Sequence, residues 1–115
     1  MPFATAYLFI ASMDVDADKE ALFNEVYDTE HVPHLLQVPG VRGVTRVTGE
    51  PFAISMGGVE TAVPAEGPSY HAIYEIDSPA VLTSPAWAQA IETGRWPAQV
   101  RPYTRNRRHT LLQVR

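Results

Sequence analysis

A chain without cysteine has no thiolate to offer as nucleophile, metal ligand or disulfide partner. This one also lacks a phosphate-cradling glycine loop and a nucleophile elbow. Reactive chemistry therefore falls to its four histidines, its tyrosines, its carboxylates and its arginines. The densest grouping is Tyr27-Asp-Thr-Glu-His-Val-Pro-His34. Near the end of an expected helix, carbonyls and the helix dipole favour a cation, so His31 is read as a proton donor or acceptor, its charge supported by Asp28 or Glu30. Tyr27 and His34 stand beside it as further proton-transfer candidates. In the plainer reading His31 caps carbonyls and holds a kink.

Spacing raises the question of a metal. Glu30 and His34 are i,i+4 and His31 and His34 are i,i+3, so any of these pairs could share one ion. Zinc wants three or four ligands, and a third would have to come from His71 or His109 on a strand, so no metal site is expected. His71 shares a strand face with Glu75. Facing a cavity, the two are an acid/base pair, and facing a second subunit they are a buried hydrogen bond. Tyr7, Phe9, Tyr74, Trp87 and Trp96 are candidates for lining an apolar pocket, against the ordinary role of filling a core. Arg46 could orient an anionic or enolate oxygen, or simply be an exposed strand residue.

The elements that must position these groups follow from periodicity. Residues 3–13 are apolar on both alternating faces, the pattern of a strand covered on two sides. Asp14, Asp16 and Asp18 offer helix caps ahead of a helical pattern reaching to about Leu36, which Pro33 kinks or divides. After Pro39-Gly40, residues 41–48 read as a second strand, and residues 70–76 as a third, antiparallel to it. The intervening 49–69 reads as a long connection with extended pieces around Ala53 to Met56. Ser78-Pro79 and Ser84-Pro85 have the form of helix starts, giving a short turn and then a helix from Pro85 to about Thr93, closed by Gly94. A loop with Trp96 and Pro97 leads to a last strand from about Arg105 to Val114. The order is β-α-β-β-α-β, an α+β ferredoxin-like arrangement with a four-stranded antiparallel sheet and two helical segments on one face. Two helices cover one face only. A second subunit is the expected cover for the other.

At 115 residues one domain spanning 1–115 is expected. An apolar fraction of 45% with 19% charged residues argues against disorder. No apolar run approaches a membrane span and no basic leader precedes the first strand, so a cytoplasmic protein without a membrane partner is expected. Charge is unevenly distributed. Acids crowd Asp14 to Glu30 against Lys19 alone, whereas after Glu92 only Arg95, Arg101, Arg105, Arg107, Arg108 and Arg115 are charged. The basic end is short and belongs to an acidic protein, so it is read as complementing the acidic helix, within or between subunits, and not as a nucleic-acid footprint.

From Glu25 to Arg46 the sequence resembles the EthD-like group of the dimeric α+β barrel superfamily. The resemblance rests on Tyr27, on Glu30-His31-x-Pro33, on Pro39-Gly40 and on Ser84-Pro85-x-Trp87, and in pattern covers about two thirds of the chain. It implies a ferredoxin-like subunit whose sheet packs against its twin in a homodimer, with a pocket between sheet and helices. It also implies a range of activities: cofactor-free monooxygenases, dehydratases, isomerases, lactone isomerases and heme proteins. The motif histidine falls on His31. The expectation is a small enzyme, needing no cofactor, that acts on an apolar, ring-containing metabolite by histidine acid/base chemistry, with Tyr27, His34 or His71 assisting. The rivals are a non-catalytic ligand-binding module and a heme- or metal-binding protein.

Overall fold

The computed structural model describes residues 3–115. Strand β1 (Tyr7–Val15) lies at the centre of the sheet. It is followed by a 3-10 turn at Ala17–Lys19, helix α1 (Glu20–Val26), a π-helical turn at Tyr27–His31 and helix α2 (Val32–Leu36). Strand β2 (Val41–Thr48), the hairpin β3 (Phe52–Met56) and β4 (Val59–Val63), and strand β5 (Tyr70–Ile76) come next. A 3-10 turn at Pro79–Thr83, helix α3 (Pro85–Ala90), turns at Trp96–Val100 and Arg101–Tyr103, and strand β6 (Thr104–Gln113) complete the chain. The four-stranded sheet runs β2-β5-β1-β6 with every pairing antiparallel, which is the ferredoxin-like order.

Two expectations need correction. Phe3, Ala4 and Ala6 are apolar but lie before the strand, which starts only at Tyr7, where ladder partners Ile76 and Gln113 become available. The 49–69 segment is more than a connection, although the extended piece expected around Ala53 to Met56 is present as β3. It forms a two-stranded hairpin of its own, turned by Gly57 and Gly58, both at positive φ, with Phe52 opposite Val63 and Met56 opposite Val59. The hairpin stands away from the body, with Phe52 56% and Met56 65% exposed, and the radius of gyration is 15.9 Å. A compact domain of this length would have about 13 Å.

Helices and turns cover one sheet face. Tyr7, Phe9, Ala11 and Met13 of β1, with Ala72, Tyr74 and Ile76 of β5, meet Phe23, Val26, Leu35, Val81 and Val100 from the helical side. Phe23, Val26, Leu35 and Ile76 are completely enclosed, and each such side chain contributes about 1.5–3 kcal/mol by leaving water. The opposite face presents Ile10, Ile73, Val47, Thr110 and Leu112. Among the described residues no helix is long and apolar enough to cross a membrane.

Pro33 shapes the long helical segment. It has no N–H to donate to the preceding turn, and the backbone relaxes just before it: Val32 donates to the carbonyl of Tyr27, five residues back. This wide turn ends at His31 and swings its side chain inward, buried, at the junction of α1 and α2.

Candidate active site: the His31 cavity

Between β1, β6 and the helical layer lies a cavity of about 480 Å³. Phe9, Tyr74 and Trp87 form one wall: Phe9 and Trp87 meet edge to face at 5.8 Å between centroids, and Tyr74 and Trp87 at 5.5 Å. Tyr27, His31 and Trp96 form another, with the His31 ring stacked on Trp96 at 4.2 Å and met edge-on by Tyr27 at 5.0 Å. Arg101, Arg107 and His109 also line the cavity, His109 stacking on Phe9 at 5.6 Å.

His31 is 5% exposed, and its Nδ1 is enclosed without a hydrogen-bond partner. Burial, then the charge of Arg101 and then His34, pull its pKa down to about 3. This reverses the sequence expectation of a carboxylate-supported cation. Both acids are occupied elsewhere. Glu30 accepts from the backbone N–H of Arg95 at 2.9 Å and from its guanidinium, and Asp28 accepts from Arg46 at 2.7 Å. Arg95 binding holds the Glu30 carboxyl below its usual range. His31 is therefore a neutral imidazole at physiological pH, able to accept a proton.

Behind His31, the hydroxyls of Tyr27 and Tyr74 share a buried hydrogen bond of 2.9 Å. Burial raises both phenol pKa values, well above the ordinary range for Tyr74, so neither ionises near neutrality. The phenol pair bridges the helical segment and the sheet and holds the cavity floor.

Of the residues singled out from sequence, His31, Tyr27, Phe9, Tyr74, Trp87, Trp96 and His109 come together on this cavity. Four do not. His34 faces a separate cleft of about 220 Å³ between α2 and α3, with Gln37 and Gln89. His71 projects from the other sheet face, where its Nδ1 pairs at 2.6 Å with Oγ of Ser12, itself 4% exposed. Arg46 sits over the far side of the Tyr27 ring at 4.5 Å, its donors taken by Asp28 and Asn24. Tyr7 packs at the edge of the core, outside the lining. With Glu30 tied to Arg95 and His34 turned away, the i,i+3 and i,i+4 spacings do not converge on an ion, and no metal-binding group of three or more side chains forms among the described residues.

Arg101 and Arg107 are the cavity residues that the sequence alone left unassigned. Their acid-complementing role is real elsewhere in the basic end, with Arg95 on Glu25 and Glu30 and Arg105 on Asp16. The available signal was parity. Arg107, His109 and Leu111 alternate along β6 and fall on the face of Ala11 and Phe9.

No family model and no curated protein matches this chain. Solved structures do. An MhuD mutant described with two manganese protoporphyrin IX bound per active site is 14% identical over 94% of this chain and 93% of its own, with a TM-score of 0.61. An EthD family protein from Bacillus halodurans is 10% identical over 95% and 99%, with a TM-score of 0.58. A dimeric ferredoxin-like protein of unknown function from Thermobifida fusca is 11% identical over 99% and 96%, with a TM-score of 0.54. At such identities the likeness is one of fold: the chain has the ferredoxin-like α+β fold that these structures share.

Proposed function

We propose that this chain is a small, cofactor-independent enzyme that binds an apolar, ring-containing metabolite in the His31 cavity and moves a proton with His31. The reading rests on one observation: a buried imidazole, free of carboxylate partners, on the wall of an aromatic cavity of about 480 Å³. Cavities of roughly 300–1,000 Å³ with apolar walls and few polar groups are the common form of small-molecule sites. The protein works as a homodimer in the cytoplasm, with the open sheet faces packed together.

A neutral His31 starts the reaction as a base. It takes a proton from a carbon next to a carbonyl; the C–H electron pair moves into an enolate, and the proton resides on the imidazole. A base held near pKa 3 is weak in the empty cavity. The negative charge developing on the substrate offsets that weakness, because an anion alongside favours the imidazolium most in the transition state. Return of the proton to another carbon gives isomerisation, and its delivery to a departing hydroxyl gives dehydration. Oxygenation requires dioxygen as a co-reactant. Tyr27 positions the ring through its edge contact with His31.

The test is a thermal-shift screen of ring-containing ketones and phenols, followed by turnover assays of the stabilising compounds with the wild type, His31→Gln and His31→Ala. Binding with turnover lost in both variants supports the reading; turnover undiminished in both sinks it.

A second reading is a non-catalytic binding module, a porphyrin being one occupant. Its support is the fold likeness to MhuD and the position of His109, exposed beside the aromatic wall, where it would be the residue to hold an iron. An absorption spectrum of the protein titrated with hemin, wild type against His109→Ala, separates this reading from the first.

A further inference from the structure

We infer that the ligand of the His31 cavity is an anion: a ring system bearing a carboxylate, whose charge is received by Arg107 while the ring lies against the Phe9, Trp87 and Trp96 walls. This deepens the proposed function and rests on it. Six charged pairs tie arginines to acids among the described residues; Arg107, Arg108 and Arg115 are in none of them, and of these three Arg107 lines the cavity. Among the described residues its guanidinium meets neutral acceptors alone: Oγ1 of Thr104 at 3.0 Å from Nε and 2.7 Å from Nη2, and the carbonyl of Arg101 at 3.0 Å.

No carboxylate lines the cavity among the described residues. The second guanidinium there, Arg101, is paired with Glu92 at 2.6 Å. Asp14, which shares a neighbouring surface depression with Arg107, accepts from the backbone N–H of Ser69 and from Asn106, both at 2.8 Å. The result is one uncompensated positive charge on an aromatic-walled cavity, held by the adjacent turn and pressed by a like charge. Arg107 keeps solvent exposure at the cavity mouth; partial burial and then the Arg101 charge hold its guanidinium below its usual range, and a carboxylate alongside would act in the opposite direction. The planar fork of Arg107 matches a carboxylate better than it matches any neutral oxygen. The unpartnered Nδ1 of His31 adds a polar group in the same lining with nothing of the protein's own to satisfy it.

Two probes of nearly equal shape separate charge from ring. The affinities of 2-naphthoate and 2-naphthamide are measured by calorimetry for the wild type, Arg107→Met, Arg107→Lys and Arg115→Met, the last removing an arginine that does not line the cavity. The expected result is that the wild type binds the naphthoate about tenfold more tightly than the amide. The preference disappears in Arg107→Met, persists in part in Arg107→Lys and is unchanged in Arg115→Met. Equal affinity for the two probes, or a preference that survives Arg107→Met, overturns the anion assignment and leaves the ring-binding cavity standing. Failure of both probes to bind the wild type overturns the cavity reading and this inference together.

Discussion

The imidazole of His31 lies face to face with the indole of Trp96, centroids 4.2 Å apart and planes inclined by 20°. That stack, with Tyr27 at the edge, removes the imidazole from water, and its pKa of about 3 in the fold compares with 6.5 in the free side chain. The unfolded chain therefore binds a proton through this window that the folded chain refuses. Stability is complete above pH 6.5 and falls as the pH drops toward 3, by roughly 1.4 kcal/mol for each unit at most. Urea melts at pH 7 and pH 4.5 should show this loss in the wild type and a smaller one in His31→Gln, which has nothing to titrate there. Equal acid sensitivity in the two proteins would place the titrating group elsewhere.

The buried phenol pair behaves differently from an exposed hydrogen bond. Tyr27→Phe leaves the Tyr74 hydroxyl enclosed without its partner, and so does the reverse change. Each single variant should lose about 1–3 kcal/mol of stability, whereas the double variant should lose less than the sum, because no polar group is then stranded. A double-mutant cycle by denaturant melts reads the coupling directly. Additive losses would mean that the two hydroxyls do not depend on one another.

How much of this was legible beforehand depended on the range of the contact. Strands β2 and β5 were bounded correctly because β-branched alternation between turn residues is local. The dipeptide Ser84-Pro85 by itself marks a helix cap, and the Ser84 hydroxyl accepts from the Trp87 N–H. The β3–β4 hairpin also had a local signal, Gly57-Gly58 between two short apolar runs, masked by the proline and glycine content around it. The electrostatics of His31 were not local. Asp28 and Glu30 adjoin it in sequence, yet Arg46 and Arg95, brought in by β2 and by the turn after α3, claim both carboxylates. Membership of the cavity is legible for Phe9, Tyr74, Trp87 and Trp96, not for Tyr7 at the strand's start, and not for His34, because the wide turn before Pro33 changes the angle on which a 3.6-residue period relies.

The helix expected to reach Thr93 ends at Ala90 with Ile91 as its C-cap, so Gly94 lies in the turn beyond α3, at φ +77°, where a Cβ would come within 2.6 Å of Oε1 of Glu30 and 3.3 Å of Cε1 of His34. Gly57, at φ +59°, has nothing within 4 Å of the same atom. Both alanine variants incur the left-handed backbone penalty of about 1–2 kcal/mol. Only Gly94→Ala must also displace the carboxylate that receives Arg95. It should therefore be the less stable of the two by thermal melts, and Gly94→Ala with Glu30→Ala should recover part of the difference. Equal melting temperatures for the two glycine variants would show that the Glu30 contact yields without cost.

The last expectation concerns the uncovered sheet face. Ile10 on β1 pairs directly with Ile73 on β5 and Thr110 on β6, and Val47 and Leu112 extend the apolar surface to both edge strands. Val47 and Leu112 stay exposed in the single subunit. Contiguous apolar surface of this kind marks an association site, and a two-fold axis lets one such face cover another with no further element. The protein should sediment at twice its 12.7 kDa. Ile10→Glu sets a charge at the middle of the patch. It should give a monomer with unchanged far-ultraviolet circular dichroism, while Met56→Glu on the outlying hairpin should leave the dimer intact. Sedimentation of the wild type at a single subunit's mass would mean that this face is tolerated in water and that no partner copy completes the barrel.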